Sequence, residues 1–230
     1  MSKIMKEITG AILVAAGTSS RMGVDKIFLP LAGKPVLAWS LQILQNSPLV
    51  SHIVVVLNAS SLEKGKNLVT AANYDKVKTI CPGGGRRQDS VKNGLEKLGN
   101  CRWVIIHDGA RPFLTNDMLS DGLTAAKETG SAIAAVPVKD TIKQVGPDLM
   151  VKNTLDRDIL WAVQTPQVFK FDIISRAHER IREDASDDAS MVEKLGYKVK
   201  LYQGSYNNIK ITTSEDITIA RAIARGIKCV

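Results

Sequence analysis

The segment ITGAILVAAGTSSRMGVDK, residues 8–26, joins an apolar run to a loop of small residues that also carries the cations Arg21 and Lys26. The apolar run predicts a buried β-strand. A strand that leads into small residues lets backbone N–H groups approach a ligand closely, which suits a phosphate. The segment therefore predicts a phosphate-binding loop, and an ordinary strand-to-helix turn with solvated cations is the alternative.

This loop differs from the two most familiar phosphate-binding motifs. A dinucleotide-binding fingerprint reads G-x-G-x-x-G, whereas Gly17 is followed here by T-S-S. A Walker loop requires G-K-[ST], whereas Pro35 follows Gly33 and Lys34. The first mismatch disfavours a dinucleotide-dependent oxidoreductase, so another nucleotide chemistry is the better hypothesis.

Beyond the loop, apolar β-branched runs alternate with helical patterns. The runs read ITGAILV, HIVVVLN, VKTI, WVIIHD and SAIAAVPV. This alternation predicts an α/β fold of the doubly wound type, with a mostly parallel sheet and right-handed crossovers. Since ligands bind at the carboxyl ends of such strands, the loops AAGTSSRM, PGGGRRQDS and DGARP are expected to form the site.

Residues 138–161 break the alternation and predict a β-hairpin arm. Two mixed segments, VKDTIKQV and LMVKNTLDRDILW, flank the turn signal GPD at residues 146–148. Because an isolated two-stranded ribbon is marginal in water, we expect the arm to pack against a second subunit. The later pattern predicts helices near residues 171–182 and 187–195, then a strand VKLYQG. A last helix is expected from about Ser214, as its N-cap, to Ala224.

Length and composition indicate one cytoplasmic domain over residues 1–230. The chain is long enough for a sizeable core, and 44% of its residues are hydrophobic. No apolar run approaches the roughly 20 residues that span a bilayer, and the N-terminal segment lacks the apolar region of a signal peptide. Three cysteines without a C-x-x-C pair indicate reduced thiols rather than a disulfide scaffold.

The net charge of +8 is compatible with nucleic acid, an anionic surface or polyanionic small substrates, and its sign alone does not choose between them. The cations are scattered along the chain, with no longer basic run than Arg86-Arg87 and no interleaved aromatic residues, so nucleic acid is disfavoured. The three histidines stand far apart without cysteine or carboxylate at ligand spacing, so a zinc site is not indicated. His52 and His178 are expected to be surface or filler residues.

Two further loops carry candidate ligand groups. In PGGGRRQDSV, residues 82–91, three glycines permit close backbone approach and a helix is expected to begin at Asp89 or Ser90. A flexible turn capped by Asp89 is the alternative. Asp108 follows a buried run, where a metal-binding carboxylate would stand, and a structural ion pair with Arg111 is the alternative.

Motifs along nearly the whole chain, from about Ile8 to Ala224, carry a family resemblance. In order they read AAGTSSRM, GGGRRQDSV, HDGARPF, PVKDTI, TLDRDILW, QTPQVF, SDDAS and NNIKIT. They resemble the 2-C-methyl-D-erythritol 4-phosphate cytidylyltransferase family of the non-mevalonate isoprenoid pathway. The related ribitol 5-phosphate cytidylyltransferases share HD-x-x-RPF and QTPQ, whereas TLDR followed by LW favours the first family.

The resemblance implies a Rossmann-like nucleotidyltransferase fold with a protruding arm, and cytidylyl transfer from CTP to methylerythritol phosphate. It also implies magnesium as cofactor and a homodimer with exchanged arms. Ribitol 5-phosphate activation is the nearest alternative. The segment RMGVDKIFLPL is shorter than usual in the family and has no proline before Lys26, so a non-catalytic nucleotide-binding module is a further alternative.

Residue roles follow from the resemblance alone. The implied catalytic residues are Arg21, Lys26 and Lys210. The implied nucleotide-binding residues are Ala15, Ala16, Gly17, Gly84, Gly85, Arg87 and Ser90. The implied substrate-binding residues are Asp108, which would also hold the metal, Arg111, Thr141, Arg157, Thr165 and Thr212. Thr141 and Arg157 would reach the neighbouring subunit's site.

The residue types agree with this chemistry. A phosphate monoester with a second pKa near about 6 is largely dianionic at neutral pH and can attack without a general base. The reaction instead requires neutralisation of charge on the α-phosphoryl group and the departing pyrophosphate. Cations without a histidine base satisfy this requirement, and His107, beside Asp108, is expected to be structural.

Overall fold

The computed structural model describes residues 8–17, 25–99 and 101–228. Its strands are β1 (Thr9–Ala15), β2 (Pro30–Leu31), β3 (Lys34–Pro35), β4 (His52–Leu57), β5 (Val77–Pro82), β6 (Trp103–Asp108), β7 (Ser131–Pro137), β8 (Lys143–Val145), β9 (Val151–Thr154), β10 (Trp161–Lys170) and β11 (Lys200–Gln203). Its α-helices are α1 (Val36–Asn46), α2 (Leu62–Ala71), α3 (Arg87–Leu98), α4 (Asn116–Thr129), α5 (Phe171–Arg180), α6 (Asp188–Lys194) and α7 (Ser214–Lys228).

Seven strands form one sheet in the order β11-β7-β10-β6-β1-β4-β5. β1 pairs in parallel with β4 and β6, while β5 and β11 extend the sheet in parallel with β4 and β7. β10 runs antiparallel to both β6 and β7. The predicted doubly wound, mostly parallel sheet is confirmed.

Helices cover both faces of this sheet. Successive side chains of a strand point to opposite faces, so a strand covered on both faces needs a continuous apolar run, which β1 has from Ala11 to Ala15. Leu13 belongs to the core cluster that contains Leu37 of α1. Ile12 belongs to a second cluster with Val91 of α3 and Ile174 of α5. The strand is therefore buried along its whole length, and its carboxyl end lies beside the loops that follow β5 and β6.

The central strand β10 was not predicted from the sequence. It contains Pro166, and a proline within a run argues against a central strand because it has no N–H for the ladder. The pairing of β10 with β7 shifts register between Val163 and Gln167, which accommodates the proline. This register shift depends on the pairing with β7, so the sequence of β10 alone lacks the regular pattern by which a strand is recognised.

In α3 and α7, an acidic side chain of the first turn accepts a hydrogen bond from the backbone N–H of the residue that precedes the helix. α3 begins at Arg87, two residues before Asp89, whose carboxylate accepts the backbone N–H of Arg86 at 3.1 Å. Ser214 is already helical, and Asp216 accepts the backbone N–H of Thr213 at 2.9 Å. α7 also extends beyond Ala224 to Lys228. In the described ranges no helix is long and apolar enough to cross a membrane.

The predicted hairpin arm is confirmed as β8 and β9. The two strands pair antiparallel, and the backbone N–H of Gly146 donates to the carbonyl of Met150 at 3.0 Å across the turn. Every residue of both strands is exposed. Apolar side chains are among them, with Leu149 80% and Met150 67% exposed at the tip. The arm thus presents apolar surface that its own chain leaves uncovered.

Candidate active site

A cavity of about 350 Å³ opens at the carboxyl ends of β1 and β6, next to the start of α3. Its volume lies in the range that small-molecule sites usually occupy, about 300–1,000 Å³. The predicted site residues that line it are Ala15, Ala16, Gly17, Lys26, Gly84, Gly85, Arg87, Ser90, Asp108, Lys210 and Thr212. Arg21 lies outside the described residues.

A second cavity of about 430 Å³ adjoins the first. The two share Arg87, Asp108 and Lys210 in their walls. The second also contains Arg111 and Thr165 among the predicted residues. Arg111 lines this cavity, and its buried Nε has no hydrogen-bond partner among the described residues, so the cavity wall contains a guanidinium with an unpaired donor, a group suited to an anion.

The glycine loop after β5 packs tightly against its surroundings. A Cβ atom at Gly83 would lie 2.2 Å from Cβ of Ala16, and one at Gly84 would lie 2.4 Å from Cβ of Asp89. The backbone N–H of Gly84 donates to Oγ of Ser90 at 3.1 Å. The loop thus packs closely against the end of β1 and the start of α3, and its backbone forms part of the cavity wall.

Asp108 lies at the end of β6 between two cations. Its Oδ1 accepts from Nε of Arg87 at 3.1 Å, and its Oδ2 lies 2.8 Å from Nζ of Lys210. Burial alone would raise the pKa of Asp108, but the charges of Arg87 and Lys210 outweigh it and hold this pKa well below its usual range. Asp108 is therefore ionised and keeps both cations at the cavity junction.

Arg111 is not the ion-pair partner of Asp108 among the described contacts. It donates from Nη1 to the carbonyl of Asn208 at 2.7 Å. Its backbone N–H donates to the carbonyl of Asp108 at 2.9 Å. The alternative of a structural Asp108–Arg111 ion pair is thus replaced by an Arg111 that closes the loop after β6.

His107 is a buried structural residue, as the sequence predicted. Its Nε2–H donates to the carbonyl of Arg111 at 3.0 Å, which leaves Nδ1 to accept from the hydroxyl of Thr165 at 3.1 Å. Burial lowers the pKa of His107 to about 4. Thr165 also accepts the backbone N–H of Asp108 at 3.0 Å, so its hydroxyl already has two partners within the protein.

The two arm residues stand apart from both cavities of their own chain. Thr141 and Arg157 are exposed and belong to neither lining. Nη1 of Arg157 donates to the carbonyl of Lys139 at 3.1 Å, near the base of the arm. Neither residue therefore contributes to the cavities of its own chain.

One buried residue that contacts the site, Asp188, was not predicted from the sequence. Arg87 donates from Nη1 to Asp188 at 2.7 Å, and the other oxygen of Asp188 lies 3.1 Å from Nε2 of His178. His178 is only 4% exposed, so its expected role as a surface or filler residue is wrong. The motif SDDAS contained the signal, but its partner Arg87 lies 101 positions away in the chain.

The donor set fits a metal ion held mainly by a nucleotide. Among the described residues, no group of three His, Cys, Asp or Glu side chains could hold a metal. Asp108 is the carboxylate at the first cavity, and its ionised group retains lone pairs beyond the two contacts described. Mg²⁺ commonly binds one or two carboxylates together with substrate phosphates, so one such carboxylate suffices.

Known proteins that are similar to this chain in sequence and in structure belong to the same family. The family model described as IspD, 2-C-methyl-D-erythritol 4-phosphate cytidylyltransferase, matches residues 9–226. A protein of that name from Dehalococcoides mccartyi strain CBDB1 is 52% identical over 96% of this chain and 98% of its own length. A solved 4-diphosphocytidyl-2C-methyl-D-erythritol synthase from Anaerococcus prevotii superposes with a TM-score of 0.86 at 29% identity, covering 96% and 97% of the two chains. A cytidylyltransferase structure from Thermus thermophilus gives 0.79 at 31%, covering 95% and 99%.

Proposed function

This chain belongs to the 2-C-methyl-D-erythritol 4-phosphate cytidylyltransferase family, and we infer that it transfers the cytidylyl group of CTP to 2-C-methyl-D-erythritol 4-phosphate. The products are 4-diphosphocytidyl-2-C-methyl-D-erythritol and pyrophosphate. The observation that carries this function is the junction of two cavities at Asp108, where Arg87 and Lys210 stand between a glycine-loop pocket and a second pocket with an unpaired Arg111 donor.

In the reaction, a phosphate oxygen of methylerythritol phosphate forms a bond to the α-phosphorus of CTP. The bond from that phosphorus to the pyrophosphate oxygen breaks, and pyrophosphate carries the electron pair away. The attacking phosphate is already largely dianionic, so the enzyme needs no general base. This agrees with His107, whose two ring nitrogens are both engaged and whose pKa is lowered to about 4 by burial.

We assign charge neutralisation to the cations of the cavity. Lys26, Lys210 and Arg87 line the glycine-loop pocket, and we propose that they stabilise the negative charge that grows on the transferred phosphoryl group and on pyrophosphate. Gly84, Gly85 and Ser90, with the end of β1, would hold the cytidine nucleotide. Arg111 would hold the substrate phosphate in the second cavity.

We further propose Asp108 as the protein ligand of a magnesium ion that arrives with CTP. When bound, magnesium would neutralise charge on the triphosphate and help to orient it. The protein side of this site is the ionised Asp108, which Arg87 and Lys210 already hold at a fixed place.

We also propose a homodimer with exchanged arms. The apolar tip residues Leu149 and Met150 are exposed in one chain, and a two-fold contact would cover the same surface twice. Such an exchange would place Thr141 and Arg157 over the partner's substrate pocket. A cytoplasmic location is proposed from the cysteines, since Cys81 and Cys101 are both free.

The proposed function is tested by presenting two phosphosugars separately with CTP and measuring pyrophosphate. We expect rapid release with methylerythritol phosphate and much slower release with ribitol 5-phosphate. The opposite preference would contradict the substrate assignment. Binding of CTP without release of its pyrophosphate in the presence of either sugar phosphate would instead support a non-catalytic nucleotide-binding module.

A further inference from the structure

A buried chain of hydrogen-bonded polar and charged side chains joins helix α5 to the candidate active site. Nε2 of His178 lies 3.1 Å from Oδ1 of Asp188, at the start of α6. Oδ2 of Asp188 accepts a hydrogen bond from Nη1 of Arg87 at 2.7 Å. Arg87 in turn donates from Nε to Asp108 at 3.1 Å. The chain therefore ends on the carboxylate at which the two cavities meet.

The stability of the fold gives no sufficient reason for this arrangement. Asp188 is fully buried and His178 is 4% exposed. Removing such groups from water costs free energy, and an apolar cluster of similar volume is often at least as stable. Apolar neighbours are present, because Ala177 and Ala189 belong to the same core cluster. The distinctive effect of the charges is the placement of Arg87.

We propose that Asp188, supported by His178, is a positioning residue that fixes the guanidinium of Arg87 at the cavity junction. This inference rests on the proposed cytidylyl transfer. Two carboxylates hold the Nε and Nη1 groups of one planar side chain, which fixes both its position and its plane. Nη2 has no hydrogen-bond partner among the described residues, and Arg87 lines both cavities. The fixed donor is thus available to a phosphate oxygen.

The role of His178 is to hold Asp188 in the orientation that Arg87 requires. A carboxylate with one free oxygen could rotate, whereas Asp188 has His178 on Oδ1 and Arg87 on Oδ2. Fixing a catalytic donor in advance matters because a misplacement of about 1 Å can reduce a rate by about a hundredfold. The effect of losing Asp188 should therefore fall on kcat and pass through Arg87.

A double-mutant cycle in pyrophosphate release tests this inference. Asp188→Asn keeps the shape and removes the charge, and we expect kcat to fall by about tenfold or more while KM for CTP changes by less than about threefold. In an Arg87→Ala background the same substitution should change kcat by less than about twofold, because its route to the site is already lost. Glu128→Gln, which removes an exposed ion pair with Lys200, is the matched control and should leave kcat unchanged.

Equal loss in both backgrounds would overturn the positioning role, as would full activity of Asp188→Asn. If Asp188→Asn does not fold, the cycle is made with His178→Leu, which removes the donor, and His178→Gln, which restores one. The inference then requires a loss in the first variant, recovery in the second and no loss without Arg87. A wild-type enzyme that released no pyrophosphate would contradict the proposed function, whereas additive losses in an active enzyme contradict this inference alone.

Discussion

At the scale of single residues, Lys26 is one of the cations of the glycine-loop pocket to which we assign charge neutralisation. It begins a short 3₁₀ helix that ends at Phe28. If Lys26 neutralises charge that appears mainly in the transition state, Lys26→Ala should lower kcat by about two to three powers of ten. CTP affinity should change much less. Steady-state kinetics with a separate CTP titration measures both, and an unchanged kcat would move the role to another cation.

The lowered pKa of His107 predicts how the free energy of unfolding depends on pH. Burial lowers its pKa to about 4, whereas a histidine in an unfolded chain titrates near about 6.5. Between these values the unfolded state binds more protons, so stability rises with pH and is lost as the pH falls from about 6.5 to 4. At neutral pH the contribution of His107 to the free energy of unfolding approaches about 3 kcal/mol.

Urea unfolding between pH 4 and 7, without nucleotide or metal, measures this effect. His107→Gln offers an amide that can donate to the Arg111 carbonyl but does not titrate in this range. The variant should therefore lose less stability on acidification than the wild type. Parallel curves for the two proteins would show that His107 is not the group responsible.

At the scale of elements, the alternation of apolar runs and helical patterns predicts β1, β4, β5, β6 and β7, and the break in that alternation around the turn signal GPD predicts the hairpin arm. These elements obey local periodicity, because parallel buried strands need continuous apolar runs. β10 could not be found in this way, since Pro166 interrupts its pattern and its pairing depends on a register shift against β7. The start of α3 was misplaced because Asp89, an acidic residue inside the first turn, resembles an N-cap, whereas α7 begins at Ser214 and differs mainly in ending beyond Ala224.

The same distinction between local and distant contacts applies to the candidate site. The glycine loop, Lys26 and Asp108 follow strand ends and could be located by the rule for doubly wound sheets. The contact of Arg87 with Asp188 joins positions 101 apart, and only the folded chain brings them together. The family resemblance supplied roles for Thr141 and Arg157 that no local pattern indicates.

The glycine loop yields a prediction at this scale. A Cβ at Gly84 would lie 2.4 Å from Cβ of Asp89, so even alanine must displace the loop from the start of α3. Gly84→Ala should therefore weaken CTP binding by about tenfold, which corresponds to about 1.4 kcal/mol. Gly226→Ala is the matched control, because nothing lies within 4 Å of a Cβ at Gly226. Equal CTP affinity in Gly84→Ala and wild type would contradict this placement.

At the scale of the whole molecule, the proposed exchange of arms would connect assembly with catalysis. Arg157 is exposed and remote from the cavities of its own chain, and its guanidinium can bind a phosphate through paired hydrogen bonds. We expect it to act on the partner's substrate. Arg157→Ala and Lys26→Ala should each be inactive as homodimers, yet recover activity when mixed.

The recovery has a calculable size. In an equal mixture half of the dimers are mixed, and each mixed dimer has one site with an intact Lys26 and the other subunit's Arg157, so about a quarter of wild-type activity should return. Mass measurement of the assembled protein establishes the dimer. If Arg157 acts within its own subunit, every site keeps one defect and mixing restores nothing.

The central claim is the transfer itself, and a ³¹P NMR spectrum of one incubation with CTP and methylerythritol phosphate tests it most directly. We predict that the phosphomonoester resonance of methylerythritol phosphate disappears, while two coupled diphosphate resonances and pyrophosphate appear in equal amounts. The coupling would show that the two phosphorus atoms now share an oxygen. A persistent methylerythritol phosphate signal, with CTP intact or merely hydrolysed to CMP, would contradict the assignment of this chain as a cytidylyltransferase.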